Sequence, residues 1–433
     1  MRRVLRPVLR FTLAIAALCA SGCAEDPPPV ERDAGTTAAT DSGLARRDAD
    51  TPDAGAVAGG DGGATDAGVT PPPDIESCLT GATDVETFSG ALTSAVRRDE
   101  SSMPAGGVLD LSEAAISHPP WYPVLVDADR GGQPAEACIH GGFVHHTTSD
   151  WSRLNASWSE NYTENHASFF NRASGGIVER GAVYNGHDGH RANGGVGPFT
   201  VRDVWFNYIR DDCSENDTLR PGAFERVLFD GCYVAFSTRP SAGDSSSSGR
   251  GQLATVRDSL VRLEPMPGPF RWSSNPGGFV RLSEYADHDG YFGHGALFKR
   301  PDASRQLDWA FLGHNIFFLQ DGGRRAADYD FPSAARVTDC EELTLIWLGD
   351  GTRYGQARSE DYPGDLGDLP TRCARFELIT DEARGRAAWE EAVNRWFDHH
   401  PDVGAFRDGL PTEVPTRPAP GAYELPAFPR YAP

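Results

Sequence analysis

Lysine is almost missing from this chain. Lys299 is the only one, so nearly all of the 40 basic residues are arginine, and they face 62 acids for a formal charge of −22. Such a balance offers no basic face, which excludes nucleic acid and anionic membrane surfaces as partners. No apolar run is long enough to anchor a bilayer-spanning helix. No cysteine pair has the C-x-x-C spacing of a zinc or dithiol site. Nucleophile elbows, phosphate-cradling glycine loops and His-Glu-x-x-His are also absent. Glycine (48) and proline (32) are plentiful, but no triplet period places them in a collagen-like fibre.

The first 22 residues read as a targeting segment. Arg2, Arg3, Arg6 and Arg10 precede a short apolar run, Phe11 to Ala20. The run ends in Ala20-Ser21-Gly22-Cys23, which resembles a bacterial lipoprotein signal with Cys23 as the lipidated residue. That resemblance implies an exported chain held at the cell envelope by a lipid anchor alone. Losing four arginines with the signal takes the charge from −22 to −26. Residues 23–73 follow as an Ala/Gly/Asp/Pro linker without an aromatic side chain. It cannot bury enough apolar surface to offset its chain entropy, so it is expected to be a disordered tether. Residues 74–433 read as one folded unit. Six of the eight cysteines belong to it, an even number that predicts up to three disulfides in an oxidising compartment.

The middle of the chain repeats. The segments from Gly176 to Gly189, Phe199 to Cys213, Ala223 to Cys232 and Leu253 to Leu263 each carry short alternating apolar runs, and the first three end on an Asp followed by a turn residue. Period-2 runs argue strands. A repeat near 20 residues without helices between argues a β-solenoid. With rungs stacked ~4.8 Å apart, Asp188, Asp211 and Asp230 (23 and then 19 residues apart) are expected in one column, and Cys213 and Cys232 in another. Cα atoms so spaced lie within disulfide reach, predicting a Cys213–Cys232 bond.

The stretches Ile209 to Asp217 and Phe229 to Pro240, with Leu345 to Gly351 and a last helix bearing Trp389 and Trp396 and ending at His399-His400, resemble bacterial exported right-handed parallel β-helix proteins of the pectate-lyase-like superfamily. The resemblance implies an all-β, right-handed parallel β-helix with a C-terminal capping segment over about 380–433. Thr380 reads as that helix's N-cap, and its Trp face as a cover for the open end of the solenoid. Most such proteins have no assigned activity. The wider class includes pectate lyases and polygalacturonases. Asp211-Asp212 and Gly293-His294-Gly295 resemble two polygalacturonase motifs, but they stand several rungs too far apart and the third, basic motif is missing. That mechanism is not carried over, and His294 reads as a loop residue.

The acidic column is the candidate site. Carboxylates a few ångströms apart push one another's proton affinities apart, giving an acid and a base. Asp188, Asp211, Asp212, Asp230 and Glu215, with Asp217 close by, are the candidate catalytic groups for glycan cleavage of lyase or hydrolase type. Arg210, Arg239, His187, Trp205 and Tyr208 are the candidate substrate contacts. The same aspartates could ligate Ca²⁺, which needs six to eight oxygens. Of the histidines from His140 to His190, the His187-Asp188-Gly189-His190 run could set an imidazole beside the column. A plainer reading makes Asp-Asp and Asp-Gly simple turn residues. The function expected is polysaccharide binding with cleavage left open. The alternative is a non-catalytic surface or adhesion protein.

Overall fold

The structure, a computed structural model, describes residues 76–99, 102–117, 122–127, 136–146, 167–195, 197–240, 248–267, 291–300, 305–323, 326–349, 362–412 and 414–426. The expected signal segment, Cys23, the whole of the linker and His166 lie outside these. From Ser77 on, the described residues belong to one compact unit.

Nineteen strands join in one sheet. It winds into a parallel β-helix with three faces. One column down the first face runs Val85, Val108, Cys138, Ile177, Thr200, Ala223, Thr255, Ala310, Asp339, each opposite the next. The second face is traced by Ala91, Ala115, Phe143, Ala182, Trp205, Leu228, Leu260, Ile316, Thr344, Glu377. On the third face Val96, Val124, Phe169, His190, Ser214, Phe236 and Phe298 are aligned.

Why these residues stack is plain from the interior. Phe206 and Phe229 lie face to face on successive rungs with ring centroids 5.4 Å apart, and Phe169, two rungs before Phe206, stacks on it at 6.3 Å. Phe236 and Phe298 do the same at 5.2 Å. Each such pair adds ~0.5–1.5 kcal/mol beyond burial of its area. The turn from first to second face is one residue in the left-handed region: Arg180, Asp203, Arg226, Asp258 and then Gly313, with φ between 49° and 62°. Their backbone N–H groups bond the next rung around the corner, as in Asp203 N–H to Glu225 O at 3.0 Å. Charges alternate down this corner, and Arg226 grips Asp203 with two hydrogen bonds of 2.6 and 2.9 Å.

Three disulfides form: Cys78–Cys138, Cys213–Cys232 and Cys340–Cys373, with Cα atoms 6.5, 5.7 and 4.4 Å apart. The expected Cys213–Cys232 bond is there, but not because the two share a register position. Cys232 lies opposite Ile209, and the ladder slips between Ile209 and Asp212. The bond spans that irregularity.

The C-terminal helix is Glu382–His399, with Asp381, not Thr380, as N-cap. The Asp381 side chain accepts from Arg384 N–H at 2.8 Å. The helix starts beside the last rungs, where Gly385 meets Ile346 and Leu348, and then lies along the outer side of the second face. Trp389, Trp396 and Phe397 pack there with Trp205, Leu228, Leu260, Ile316 and Phe318. Trp396 Nε1 donates to Arg226 O at 2.7 Å, and His400 Nε2 lies 2.9 Å from Asp203 Oδ1. The chain beyond continues the cover, with Gly404 against Trp205 and Gly409 against Ala91.

Candidate acid cluster at the corner of the second and third faces

The second corner is again a residue of positive φ, Asn185 at 58° and Tyr208 at 60°. Three residues past each corner the chain carries acids. Two successive rungs run side by side here. Arg210 N–H donates to Gly186 O at 2.9 Å and Asp211 N–H to His187 O at 2.8 Å. Asp212 N–H donates to the Asp188 carboxylate at 3.2 Å. Gly189 has to be glycine, because a Cβ there would lie 2.5 Å from Phe206 and 2.7 Å from Cys213 O. Asp188 begins a strand, and Asp211, Asp212 and Glu215 lie inside one.

All five acids are buried: Asp188 2%, Asp211 9%, Asp212 2%, Glu215 7% and Asp217 6% exposed. Three cations stand among them. Arg191 Nη1 is 2.9 Å from Glu215 Oε2. Lys299 Nζ is 3.3 Å from Asp212 Oδ2. Arg210 Nε donates to Asn185 at 2.8 Å, and its guanidinium lies 5.7 Å from the Tyr208 ring centre. His187 is fully buried with Nε2 3.4 Å from Asp211 Oδ2. Asn193 links Glu215, to which it donates at 3.0 Å, with Asp217 N–H, from which it accepts at 2.5 Å.

Desolvation sets the protonation pattern. Burial, reinforced by Glu215, Asp211 and Asp212, lifts Asp188 well above the carboxylate range. Burial and Glu215 do the same to Asp217. For Asp212 burial is opposed by Lys299, leaving it raised to about 6. Burial holds His187 and His190 down to about 3, so both imidazoles are neutral at pH 7.

The structure gathers Asp188, Asp211, Asp212, Glu215, His187 and Arg210 at this corner. It does not gather the rest. Asp230 faces Asn207, not Asp211, because the 19-residue spacing belongs to no rung. It is paired with Arg262 at 2.8 Å and accepts from Tyr423 Oη at 3.0 Å, under the C-terminal segment. Trp205 is likewise covered, 5.1 Å from Phe397 and 6.2 Å from Phe143. Tyr208 is 2% exposed in the same outer cluster. Arg239 is exposed, two residues past its strand.

Sequence reasoning missed Lys299. It passes for a poor basic motif because many residues separate it from Asp212. In space it faces Ser237, which faces Glu215, so only one rung intervenes. The spacing objection to Gly293-His294-Gly295 fails for the same reason, as Gly295 N–H bonds Tyr233 O at 2.8 Å. His294 is nevertheless outside the cluster and is not a solvated loop residue. It is fully buried, 5.0 Å from the Tyr329 ring, with Nδ1 on Gly295 O at 2.7 Å. The solitary lysine was the available signal. Compared with protein-family models, curated proteins and solved structures, the chain finds no match.

Proposed function

We propose that this chain is an exported, lipid-anchored β-helix protein that binds polysaccharide and cleaves it by acid–base chemistry at the Asp188/Asp211/Asp212/Glu215 corner. The observation that carries the reading is the placing of the chain's only ammonium on Asp212, across one intervening rung, beside carboxyls from the adjacent rung. Glycan cleavage needs a proton donor and acceptor held a few ångströms apart on a rigid frame. A parallel sheet with continuous backbone bonding is such a frame. Three disulfides among the described residues suit an oxidising, extracytoplasmic compartment. The acidic chain makes a neutral glycan the better substrate.

A second reading, a non-catalytic surface protein, is favoured by one fact: Trp205 and Tyr208, which would stack on sugar, lie under the C-terminal segment. The deciding experiment incubates purified protein with a panel of neutral and acidic polysaccharides and follows reducing ends and unsaturated products. Asp212→Asn and Lys299→Met should each lower turnover ~10²–10⁴-fold with the fold intact. Because Lys299 is the sole lysine, its acetylation should do the same. Retention of full activity by both variants would move the site elsewhere. No cleavage of any substrate, with binding retained, would leave the surface-protein reading.

A further inference from the structure

Among the described residues, His187, Asp188 and Asp211 bring one donor atom each to within 4.8 Å of one another. We infer that these three side chains form a site for a first-row divalent transition-metal ion such as Zn²⁺ or Mn²⁺. The inference goes beyond the acid–base reading and does not depend on it.

The spacing fits a shared ion. Asp211 Oδ2 and His187 Nε2 are 3.4 Å apart. Two ligand atoms ~2.1 Å from one metal at a tetrahedral angle stand ~3.4 Å apart. The donors sit on two rungs tied by the Asp211–His187 and Arg210–Gly186 backbone bonds of 2.8 and 2.9 Å, so little ordering remains to be done on binding. One imidazole and two carboxylates is a nitrogen–oxygen set suited to borderline transition ions. Calcium wants six to eight oxygens, and the set that the spacing of the aspartates suggested for it loses Asp230 to Arg262.

Charge agrees. Asp211 and, once its proton is displaced, Asp188 match a dication, while Lys299 and Arg191 are paired with other acids, Asp212 and Glu215. Access is from the Asp211 side, whose side chain is 12% exposed against 0% for His187.

The test uses chelator-treated protein titrated with Zn²⁺, Mn²⁺ and Ca²⁺ by calorimetry, with metal content by mass spectrometry and visible absorption after Co²⁺ loading. One equivalent of Zn²⁺ or Mn²⁺ is expected, with a Co²⁺ spectrum that Zn²⁺ displaces. Asp211→Asn should weaken binding at least tenfold, and Glu113→Gln, on an exposed strand position, should not change it. If buried His187→Gln fails to fold, Asp211→Asn alone decides. Wild-type affinity in Asp211→Asn, a preference for Ca²⁺, or no stoichiometric uptake overturns the site. Metal uptake without glycan cleavage sustains the site and sinks the proposed activity. Cleavage by protein that takes up no metal does the reverse.

Discussion

Asp203→Asn isolates one charge at the joint between the β-helix and its C-terminal cover. Asp203 is a corner residue with φ 53°, and Asn tolerates that conformation at least as well as Asp. Shape and backbone are therefore kept. What changes is the carboxylate held by Arg226 at 2.6 Å and by His400 Nε2 at 2.9 Å. Burial alone would raise this acid, but hydrogen bonds from His400 and Arg226 outweigh it and pull it down to about 2. Against an ordinary 3.8, and at ~1.4 kcal/mol per tenfold change, the folded state gains about 2.5 kcal/mol from the ionised form.

The sign follows from the depressed value. The contribution is complete above pH 3.8 and fades as pH falls to about 2. At pH 7 the variant should lose about 2.5 kcal/mol, a shift of about 3 °C for a domain near 350 residues. The difference from wild type should shrink below pH 4 and vanish only below about pH 2. Equilibrium denaturation followed by tryptophan fluorescence reads it well, because Trp396 stacks on His400 with ring centres 4.2 Å apart. Equal stability at pH 7, or a gap that persists unchanged at pH 2, would refute the reasoning.

Other consequences are separately testable. Ending the chain at residue 380 should uncover Trp205, Leu228, Leu260 and Ile316 and cause aggregation, so a monodisperse product of wild-type stability would make the cover peripheral. Peptide mapping without reduction should recover Cys213 with Cys232, and replacing both by Ser should cost about 3 kcal/mol on loop-closure grounds. An unchanged denaturation midpoint would contradict that. Cys23→Ser should move the protein from the membrane fraction to the soluble exported fraction, and unchanged fractionation would refute lipidation.

How far the sequence alone carries can be judged residue by residue. Alternation from Phe199 to Cys213 and from Ala223 to Cys232 announces strands, and stacking them needs only the repeat. Register was less accessible. The corner-to-corner step is 23 residues from Arg180 to Asp203 and again to Arg226. The pattern Glu-Arg, Arg-Asp, Glu-Arg, Arg-Asp at 179/180, 202/203, 225/226 and 257/258 marks that step. Aligning on the more conspicuous Asp-Gly of Asp230 instead shifts a rung by four residues. Nor could local pattern place Lys299, since chain length between rungs carries no information about distance between them. The C-terminal helix shows the same limit. Its apolar face is readable, whereas the surface it covers depends on where Trp205 and Phe143 point.

The turn explanation of the acids can now be weighed on geometry. Turn aspartates sit where φ is positive or at the residue flanking it. Asp203 and Asp258 meet that condition. Asp188, Asp211 and Asp212 do not: the second corner is made by Asn185 and Tyr208, three residues upstream of Asp188 and Asp211, and the three acids are at most 9% exposed. Carboxyl groups inside strands contribute nothing to chain reversal and lose solvation on burial. A hydrophobic side chain in the same place would stabilise a solenoid more cheaply, as Val234 does opposite Asp212. The acids at this corner therefore ask for a role that folding does not supply. Proton transfer and cation binding are the two roles their spacing fits, and Asp211→Asn separates them: loss of cleavage with metal retained argues for the first, loss of both for the second.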